Sequence, residues 1–197
     1  MDTIRAFIAI ELDAPLRAAL GELQGRLKRA PLGRLGRWVD PGGIHLTLKF
    51  LGDVSTSQLP ELRQALQRAA GEVLPFDVAL AGLGCFPNTR QPRVIWVGVD
   101  EPTGALKRLQ CAVERELGAI GFPPEGRAFT PHLTLARVRD QVASLERAEL
   151  GAWVQQQSVG RVGAMCAAEL ALMQSQLRPG GAVYTCLEAA PLQRREE

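Results

Sequence analysis

The chain has 197 residues, of which 46% are hydrophobic and 22% are charged. This length and composition suit a globular protein with a substantial core, and they exclude a wholly disordered or fibrous chain. The formal net charge is only +2, which argues against non-specific binding of nucleic acid through bulk charge.

Hydrophobic periodicity predicts strands and helices interleaved along the chain. The first strand covers residues 3–12, where apolar side chains recur at every second position. Asp13 is the expected N-cap of the first helix, which ends at Gly33 and Gly36. The other predicted elements are strands at 37–39 and 44–50, a helix at 59–70, strands at 76–83 and 94–99, a helix at 101–117, a strand at 130–136, a helix at 142–155, and strands at 162–173 and 183–187.

These elements predict an α+β or α/β fold without a long linker. Each half of the chain contains a helix, a Gly/Pro turn and a strand with the same tetrapeptide. We therefore expect two similar lobes packed into one compact unit over residues 1–197, with Trp38 and Trp96 in the core. Residues 193–197 are expected to fray.

The cysteines indicate a reducing compartment. No two of them have the spacing of a Cys-x-x-Cys metal or redox motif, and two histidines are too few for a Cys/His zinc cluster. Small buried free thiols in a cytoplasmic protein are the expected state of these residues. The N-terminus lacks the pattern of a signal peptide, and no stretch is apolar enough to span a membrane. The cysteines are Cys85, Cys111, Cys166 and Cys186.

One tetrapeptide occurs twice and contains both histidines of the chain. His-Leu-Thr-Leu stands at residues 45–48 and again at 132–135. On a strand, the histidine and threonine of each motif share one face while the two leucines face the core. If the lobes pack symmetrically, two imidazoles and two hydroxyls converge across a groove.

Such a groove predicts acid–base chemistry on a phosphoester without a metal ion. Imidazole titrates near neutral pH, so one ring can donate a proton while the other accepts one. A threonine hydroxyl suits a non-bridging phosphate oxygen. The alternative is that both histidines are ordinary surface or hydrogen-bonded residues on amphipathic strands. The lack of any other histidine and the turn before each motif favour the catalytic interpretation.

The paired motifs resemble those of the two-histidine phosphoesterases. The surrounding sequence resembles, within that group, the bacterial and archaeal RNA 2′,3′-cyclic phosphodiesterases, also called 2′-5′ RNA ligases. The resemblance spans nearly the whole chain, and the segments that carry it are 5–10, 38–39, 45–52, 82–87, 92–99, 127–137, 175–177 and 181–184.

This resemblance implies a bilobal α+β fold, in which two pseudo-symmetric lobes place antiparallel sheets around a central groove and helices outside. It implies hydrolysis of terminal 2′,3′-cyclic phosphates on RNA to 2′-phosphomonoesters, with a weak reverse reaction that forms 2′-5′ bonds. Neither a metal ion nor another cofactor is expected.

The resemblance also implies roles for the motif residues. His45 is the expected general acid (proton donor) and His132 the expected general base (proton acceptor). Thr47 and Thr134 are expected to bind the phosphate. The carbonyl groups adjoining Pro131 are expected to help orient the attacking water.

Four neighbouring residues are further candidates. Arg137 is expected to contact phosphate and Phe50 to stack on the terminal base, although a core role for Phe50 is nearly as plausible. Strict alternation turns both away from their histidines, so each needs a β-bulge or the strand's end to reach the groove. Arg127 suits either a phosphate or a surface ion pair. Lys49 is expected on the same face of the strand as His45, where its side chain suits either the groove or solvent.

The expected substrate is RNA that ends in a cyclic phosphate, tRNA fragments among them. The protein is expected to be a monomer that does not bind a membrane and requires no protein partner. A solvated helix end is the expected place of four arginines, with contact to an RNA backbone as the alternative: Arg26, Arg29, Arg34 and Arg37. The rival functions are a phosphodiesterase for small cyclic nucleotides, a non-catalytic module that binds RNA ends, and a metal-dependent hydrolase.

Overall fold

A computed structural model describes residues 2–178 and 181–193, which form nine strands and four α-helices. The strands are β1 (Thr3–Glu11), β2 (Gly36–Trp38), β3 (His45–Ser55), β4 (Phe76–Phe86), β5 (Val94–Asp100), β6 (His132–Val138), β7 (Arg161–Ala167), β8 (Glu169–Arg178) and β9 (Gly181–Pro191). The helices are α1 (Ala14–Arg29), α2 (Leu59–Ala70), α3 (Ala105–Gly118) and α4 (Ser144–Gln156). Of the end that is expected to fray, residues 194–197 lie outside the described residues.

The strands form two antiparallel sheets, which we name after their motif histidines. The His45 sheet has the order β3-β1-β8-β9, and the His132 sheet has the order β2-β6-β5-β4-β7. Each sheet takes strands from both ends of the chain, because β8 and β9 join β1 and β3 while β2 joins β6. The α+β fold and the two antiparallel sheets are therefore confirmed.

The leucines of both motifs lie in one continuous core. Leu46, Leu48, Leu133 and Leu135 are at most 3% exposed and belong to the same cluster of packed side chains. Helices α2 and α3 cover the His45 sheet, whereas α1 and α4 cover the His132 sheet. Both histidines consequently lie on the sheet faces that the helices leave open. None of the described helices is long and apolar enough to cross a membrane.

The strand predicted at 162–173 is in fact two strands in different sheets. β7 pairs with β4 in the His132 sheet, and after Ala168 the chain enters the His45 sheet as β8, paired with β1. No glycine or proline marks this crossing in the sequence, so periodicity alone continues through it.

Two smaller expectations also need correction. Helix α3 begins at Ala105 rather than at residue 101, because the left-handed Gly104 (φ +76°) precedes it and the Glu101 carboxylate accepts the Leu106 N–H at 3.0 Å. All four cysteines are free, but only Cys85 is buried.

Candidate active site

The first motif strand contains a β-bulge directly after its threonine. Thr47 and Lys49 lie opposite adjacent residues of β1, so Leu48 is an extra residue in the pairing. The bulge reverses the alternation that follows it. Lys49 therefore turns into the core, and Phe50 joins His45 and Thr47 on the open face, where it is 62% exposed.

The second motif strand has a bulge at the corresponding position. Thr134 and Ala136 lie opposite adjacent residues of β5, which leaves Leu135 as the extra residue. Ala136 is buried in the core, and Arg137 is exposed on the face that carries His132 and Thr134. The two bulges bring both Phe50 and Arg137 to the side of the histidines, as the sequence interpretation required.

His45 is enclosed by two aromatic rings. Its imidazole stacks on Phe7 with ring centroids 4.5 Å apart and meets the edge of Tyr184 at 4.8 Å. Its Nδ1 lies 3.0 Å from the carbonyl oxygen of Gly43. Burial lowers the pKa of His45 to about 4, and the contact with the Gly43 carbonyl opposes that shift.

His132 has a more open version of the same environment. Its ring meets Phe86 edge to face at 4.7 Å and lies 6.2 Å from Trp96. Its Nδ1 is 2.7 Å from the carbonyl oxygen of Thr130. In both motifs Nδ1–H thus donates to the carbonyl two residues earlier, which leaves Nε2 as the ring nitrogen available to a substrate.

The carbonyls beside Pro131 each accept a hydrogen bond from within the protein. The Thr130 carbonyl accepts from His132, and the Pro131 carbonyl accepts from the N–H of Val99 at 3.3 Å. These carbonyls therefore position the imidazole and the strand, and their help in orienting the attacking water stays a prediction.

The two motif strands run in opposite directions along the groove. Val39, which leads into His45, donates its N–H to the carbonyl of Leu135 at 2.9 Å. At the other end, the N–H of Phe50 donates to the Glu125 carboxylate at 3.2 Å, in the segment that leads into His132. The segment that precedes each motif strand therefore contacts the other motif strand.

Lys49 does not line the groove. Its ammonium group lies 2.5 Å from the carboxylate of Glu114 on α3 and donates to the carbonyl of Pro123 at 2.7 Å. The side chain is only 1% exposed. Lys49 is an internal ion-pair partner that joins β3 to α3, which corrects both of its expected places.

The two tryptophans expected in the core differ in position. Trp38 packs against the core and donates to the carbonyl of Gly33 at 2.9 Å. Trp96 shares the open face with Thr134 and lies across Gly84, where an added Cβ would come within 2.2 Å of the ring. Trp96 therefore forms part of the groove floor. Arg127 is exposed.

The sequence interpretation missed the aromatic residues that hold the histidines. Phe7, Tyr184 and Phe86 contact an imidazole directly. A signal for Phe7 was present in the sequence, because Phe7 and Ala9 place apolar side chains on the face of the first strand opposite its predicted core face. Both are at most 2% exposed.

No group of three or more His, Cys, Asp or Glu side chains in the described part of the chain is arranged as a metal site. The open faces of the two sheets present two histidines, two threonines and the aromatic residues beneath them.

The family model and the similar proteins point to the same family. The family model described as LigT-like phosphoesterase matches the chain twice, over residues 10–96 and 97–184. Each match contains one histidine motif. The chain is 36% identical over 185 residues to the RNA 2′,3′-cyclic phosphodiesterase of Methanothermobacter thermautotrophicus, covering 94% of this chain and 97% of that protein. It is 32% identical over 190 residues to the Aquifex aeolicus protein of the same name, covering 95% and 97%.

Solved structures share the fold. A crystal structure from Thermus thermophilus superposes with a TM-score of 0.79 at 30% identity, covering 98% of this chain and all of that one. The apo crystal structure of E. coli LigT has a TM-score of 0.75 at 26% identity, with the same coverage. E. coli LigT has also been solved with 3′-AMP and with phosphate.

Proposed function

This chain belongs to the LigT-like phosphoesterase family, and from that premise we propose that it hydrolyses terminal 2′,3′-cyclic phosphates on RNA to 2′-phosphomonoesters. The observation that carries the proposal is the repeated motif strand. Each copy presents a histidine whose Nδ1 is held by a carbonyl, so that Nε2 is free toward the groove. The relatives named RNA 2′,3′-cyclic phosphodiesterase support the substrate class.

The chemistry divides between the two imidazoles. Neutral His132 takes a proton from water through Nε2, and the resulting oxygen nucleophile forms a bond to phosphorus. The bond from phosphorus to the 3′ oxygen breaks in line with this attack, and protonated His45 gives its proton to that oxygen. The bond to the 2′ oxygen remains, so the product is a 2′-phosphomonoester.

Burial of His45 favours its neutral form, whereas the proposed acid must carry a proton. A cyclic phosphate between the two rings supplies a negative charge next to His45, and an opposite charge at that distance favours the imidazolium. Substrate binding is therefore coupled to proton uptake at His45. The bound phosphate therefore favours the protonated form of His45 that the acid role requires.

The threonines and the two bulge-directed residues complete the site. Thr47 and Thr134 share the faces of their histidines. In the proposed mechanism both hydroxyls donate to the non-bridging oxygens, where charge develops during attack. Phe50 offers an exposed ring for the terminal base, and Arg137 offers an exposed guanidinium to a phosphate of the RNA.

The same site accounts for 2′-5′ ligation if a 5′-hydroxyl replaces the attacking water. His132 then takes the proton of that hydroxyl, the 5′ oxygen bonds to phosphorus, and the 3′ oxygen leaves with the proton of His45. The two histidines exchange roles only when the 2′-5′ bond is cleaved back to the cyclic phosphate, as microscopic reversibility requires. RNA ends, tRNA fragments among them, remain the predicted substrates, and a monomer in the cytoplasm remains the predicted state of the enzyme.

The deciding experiment uses a short RNA that ends in a 2′,3′-cyclic phosphate, incubated with the purified protein in EDTA. We expect turnover, with the phosphate retained on the 2′ oxygen as shown by chromatography against 2′- and 3′-phosphate standards. Activity that disappears in EDTA and returns with a divalent ion would instead indicate a metal-dependent hydrolase. Binding without turnover would indicate a module that only recognises RNA ends.

A parallel assay separates the remaining alternative. Adenosine 2′,3′-cyclic phosphate is offered at the same concentration as the RNA, and His132→Ala serves as the inactive control for both. A higher kcat/KM for the mononucleotide than for the RNA would favour an enzyme of small cyclic nucleotides.

A further inference from the structure

Two arginines lie side by side on the open face of the His132 sheet. Arg37 of β2 is directly opposite Arg137 of β6 in the antiparallel register. The neighbouring pair, Trp38 and Ala136, packs into the core, so both arginines point to the other face, the one that carries His132 and Thr134. Both are exposed. Arg37 thus lies on a strand at the groove, and not at the solvated helix end where the sequence interpretation put it.

This arrangement has an energetic cost without a ligand. Like charges directly opposite each other in a strand pair destabilise the pair. Within residues 2–178 and 181–193, neither Arg37 nor Arg137 takes part in an ion pair with a carboxylate. Two adjacent guanidinium groups form a site for an oxyanion, because each can donate two parallel hydrogen bonds to phosphate oxygens.

The position of the pair along the groove identifies which phosphate it meets. The later half of β6, with Leu135 and Arg137, lies beside the chain that enters His45, as the hydrogen bond from Val39 to Leu135 shows. The arginine pair is therefore at the His45 end of the groove. Phe50 is at the opposite end, fastened to the segment that leads into His132.

The order of atoms in a ribose matches this polarity. The base is attached next to C2′, whereas C4′ and the 5′ chain are attached next to C3′. If His45 protonates the 3′ oxygen, the 5′ chain of the terminal nucleotide extends toward the His45 end, and the base extends toward Phe50. The next phosphodiester of the RNA then reaches the arginine pair.

We propose that Arg37 and Arg137 together bind the phosphodiester on the 5′ side of the terminal nucleotide, which makes the enzyme select RNA strands over mononucleotides. The proposal rests on the cyclic phosphodiesterase function proposed above and on the assignment of His45 as the acid. It adds a second anion subsite to the catalytic one.

The test compares three substrates that end in the same adenosine 2′,3′-cyclic phosphate. They are the mononucleotide, the dinucleotide with a natural phosphodiester, and the dinucleotide with an uncharged methylphosphonate in its place. For Arg37→Gln, we expect kcat/KM to fall about tenfold more for the natural dinucleotide than for the mononucleotide. With the methylphosphonate this extra loss disappears. Arg37→Lys keeps the positive charge but not the two parallel donors of a guanidinium. Its extra loss of kcat/KM on the natural dinucleotide is expected to lie between those of the wild-type protein and Arg37→Gln.

Arg29→Gln is the matched control, because it removes one exposed positive charge from α1 on the opposite face of the same sheet. This variant is expected to leave the ratio of kcat/KM for the natural dinucleotide to kcat/KM for the mononucleotide at the wild-type level. An equal loss of kcat/KM by Arg37→Gln on all three substrates would overturn the proposal. So would an Arg29→Gln variant that loses as much selectivity as Arg37→Gln.

Calorimetric binding separates this proposal from the proposed function. The probes are the natural and methylphosphonate dinucleotides that end in a 2′-phosphate. Tighter binding of the natural dinucleotide by wild-type protein, lost in Arg37→Gln, supports the subsite even if no substrate is turned over, in which case the proposed function alone fails. Equal binding of both probes by wild-type protein overturns the subsite.

Discussion

At the scale of single residues, two chemically identical imidazoles differ through their surroundings. Phe7 and Tyr184 enclose His45, whereas His132 has an edge contact with Phe86 and is more open. Removal from water disfavours the imidazolium, so burial lowers the pKa of His45 to about 4. The two rings are therefore not interchangeable, although their sequence motifs are the same.

The assignment of acid and base can be tested with sulfur in place of the 3′ oxygen of the cyclic phosphate. A thiolate leaves without protonation, so this substrate should restore activity to His45→Ala and leave His132→Ala inactive. Single-turnover rates on the oxygen and sulfur substrates give the measurement. Rescue of His132→Ala instead would exchange the two roles and keep the two-histidine mechanism.

The pKa of His45 also predicts how stability depends on pH. Between about pH 4 and pH 6.5 the unfolded chain binds a proton at His45 that the folded protein excludes. The stability contributed by the neutral ring is therefore complete above pH 6.5 and is lost as the pH falls toward 4. At 1.36 kcal/mol per pH unit the whole interval amounts to about 3 kcal/mol.

Urea unfolding between pH 4 and pH 7 measures this effect in the wild-type protein and in His45→Asn. The wild-type free energy of unfolding should decrease more steeply toward low pH than that of the variant. A constant difference between the two proteins across this range would contradict the assignment. In an NMR titration, the 2′-phosphomonoester product should raise the pKa of His45, because its charge favours the imidazolium.

At the scale of elements, one irregularity at the same place in both motif strands shapes the groove. The bulges at Leu48 and Leu135 turn Phe50 and Arg137 toward the histidines. On β3 the residue displaced into the core is Lys49, whose charge is compensated by Glu114. The ion pair is thus a consequence of the bulge that places Phe50 in the groove.

Removing one partner of this pair should be costly. Glu114→Ala leaves the Lys49 ammonium buried without its counter-charge, and we expect a loss of about 3–5 kcal/mol in the free energy of unfolding. Glu116→Ala on the same helix is the control. Glu116 pairs with the half-exposed Arg68, and its loss should cost about 1 kcal/mol or less.

Chemical denaturation of both variants measures these costs. The double variant Lys49→Met with Glu114→Leu should recover most of the loss, since two apolar side chains replace two charges. Equal costs for Glu114→Ala and Glu116→Ala would show that the buried pair contributes no more than a surface pair.

At the scale of the whole molecule, the two lobes are interlaced. The His45 sheet contains β1 and β3 from the beginning of the chain and β8 and β9 from its end, and the motif leucines of both sheets share one core. Neither sheet can be completed by a continuous half of the chain. We therefore expect residues 1–197 to unfold as one cooperative unit.

The three tryptophans provide a probe for this prediction, because all lie in or on the His132 sheet: Trp38, Trp96 and Trp153. Methyl NMR signals of Ile8 and Ile10 on β1 report on the other sheet. Tryptophan fluorescence and these methyl signals should give the same denaturant midpoint. Two separate midpoints would show that the lobes unfold independently.

The candidate site was largely predictable from sequence, because its main signal is local. In each repeated motif, the alternation of side chains along a strand puts the histidine and the threonine on one face and the two leucines on the other. The positions of Phe50 and Arg137 depended on bulges, which strict alternation does not include. The aromatic rings that hold the histidines come from β1, β4 and β9, far from the motifs in the chain.

By itself, the sequence determined the family, the α+β class, the two histidines with their threonines, and the leucines behind them. Only the tertiary structure decided that Lys49 is internal, that Trp96 belongs to the groove floor, that residues 162–173 cross between sheets, and that Arg37 faces Arg137. The first set follows from spacing within single strands. The second depends on strand register and on partners distant in sequence, which local periodicity does not encode.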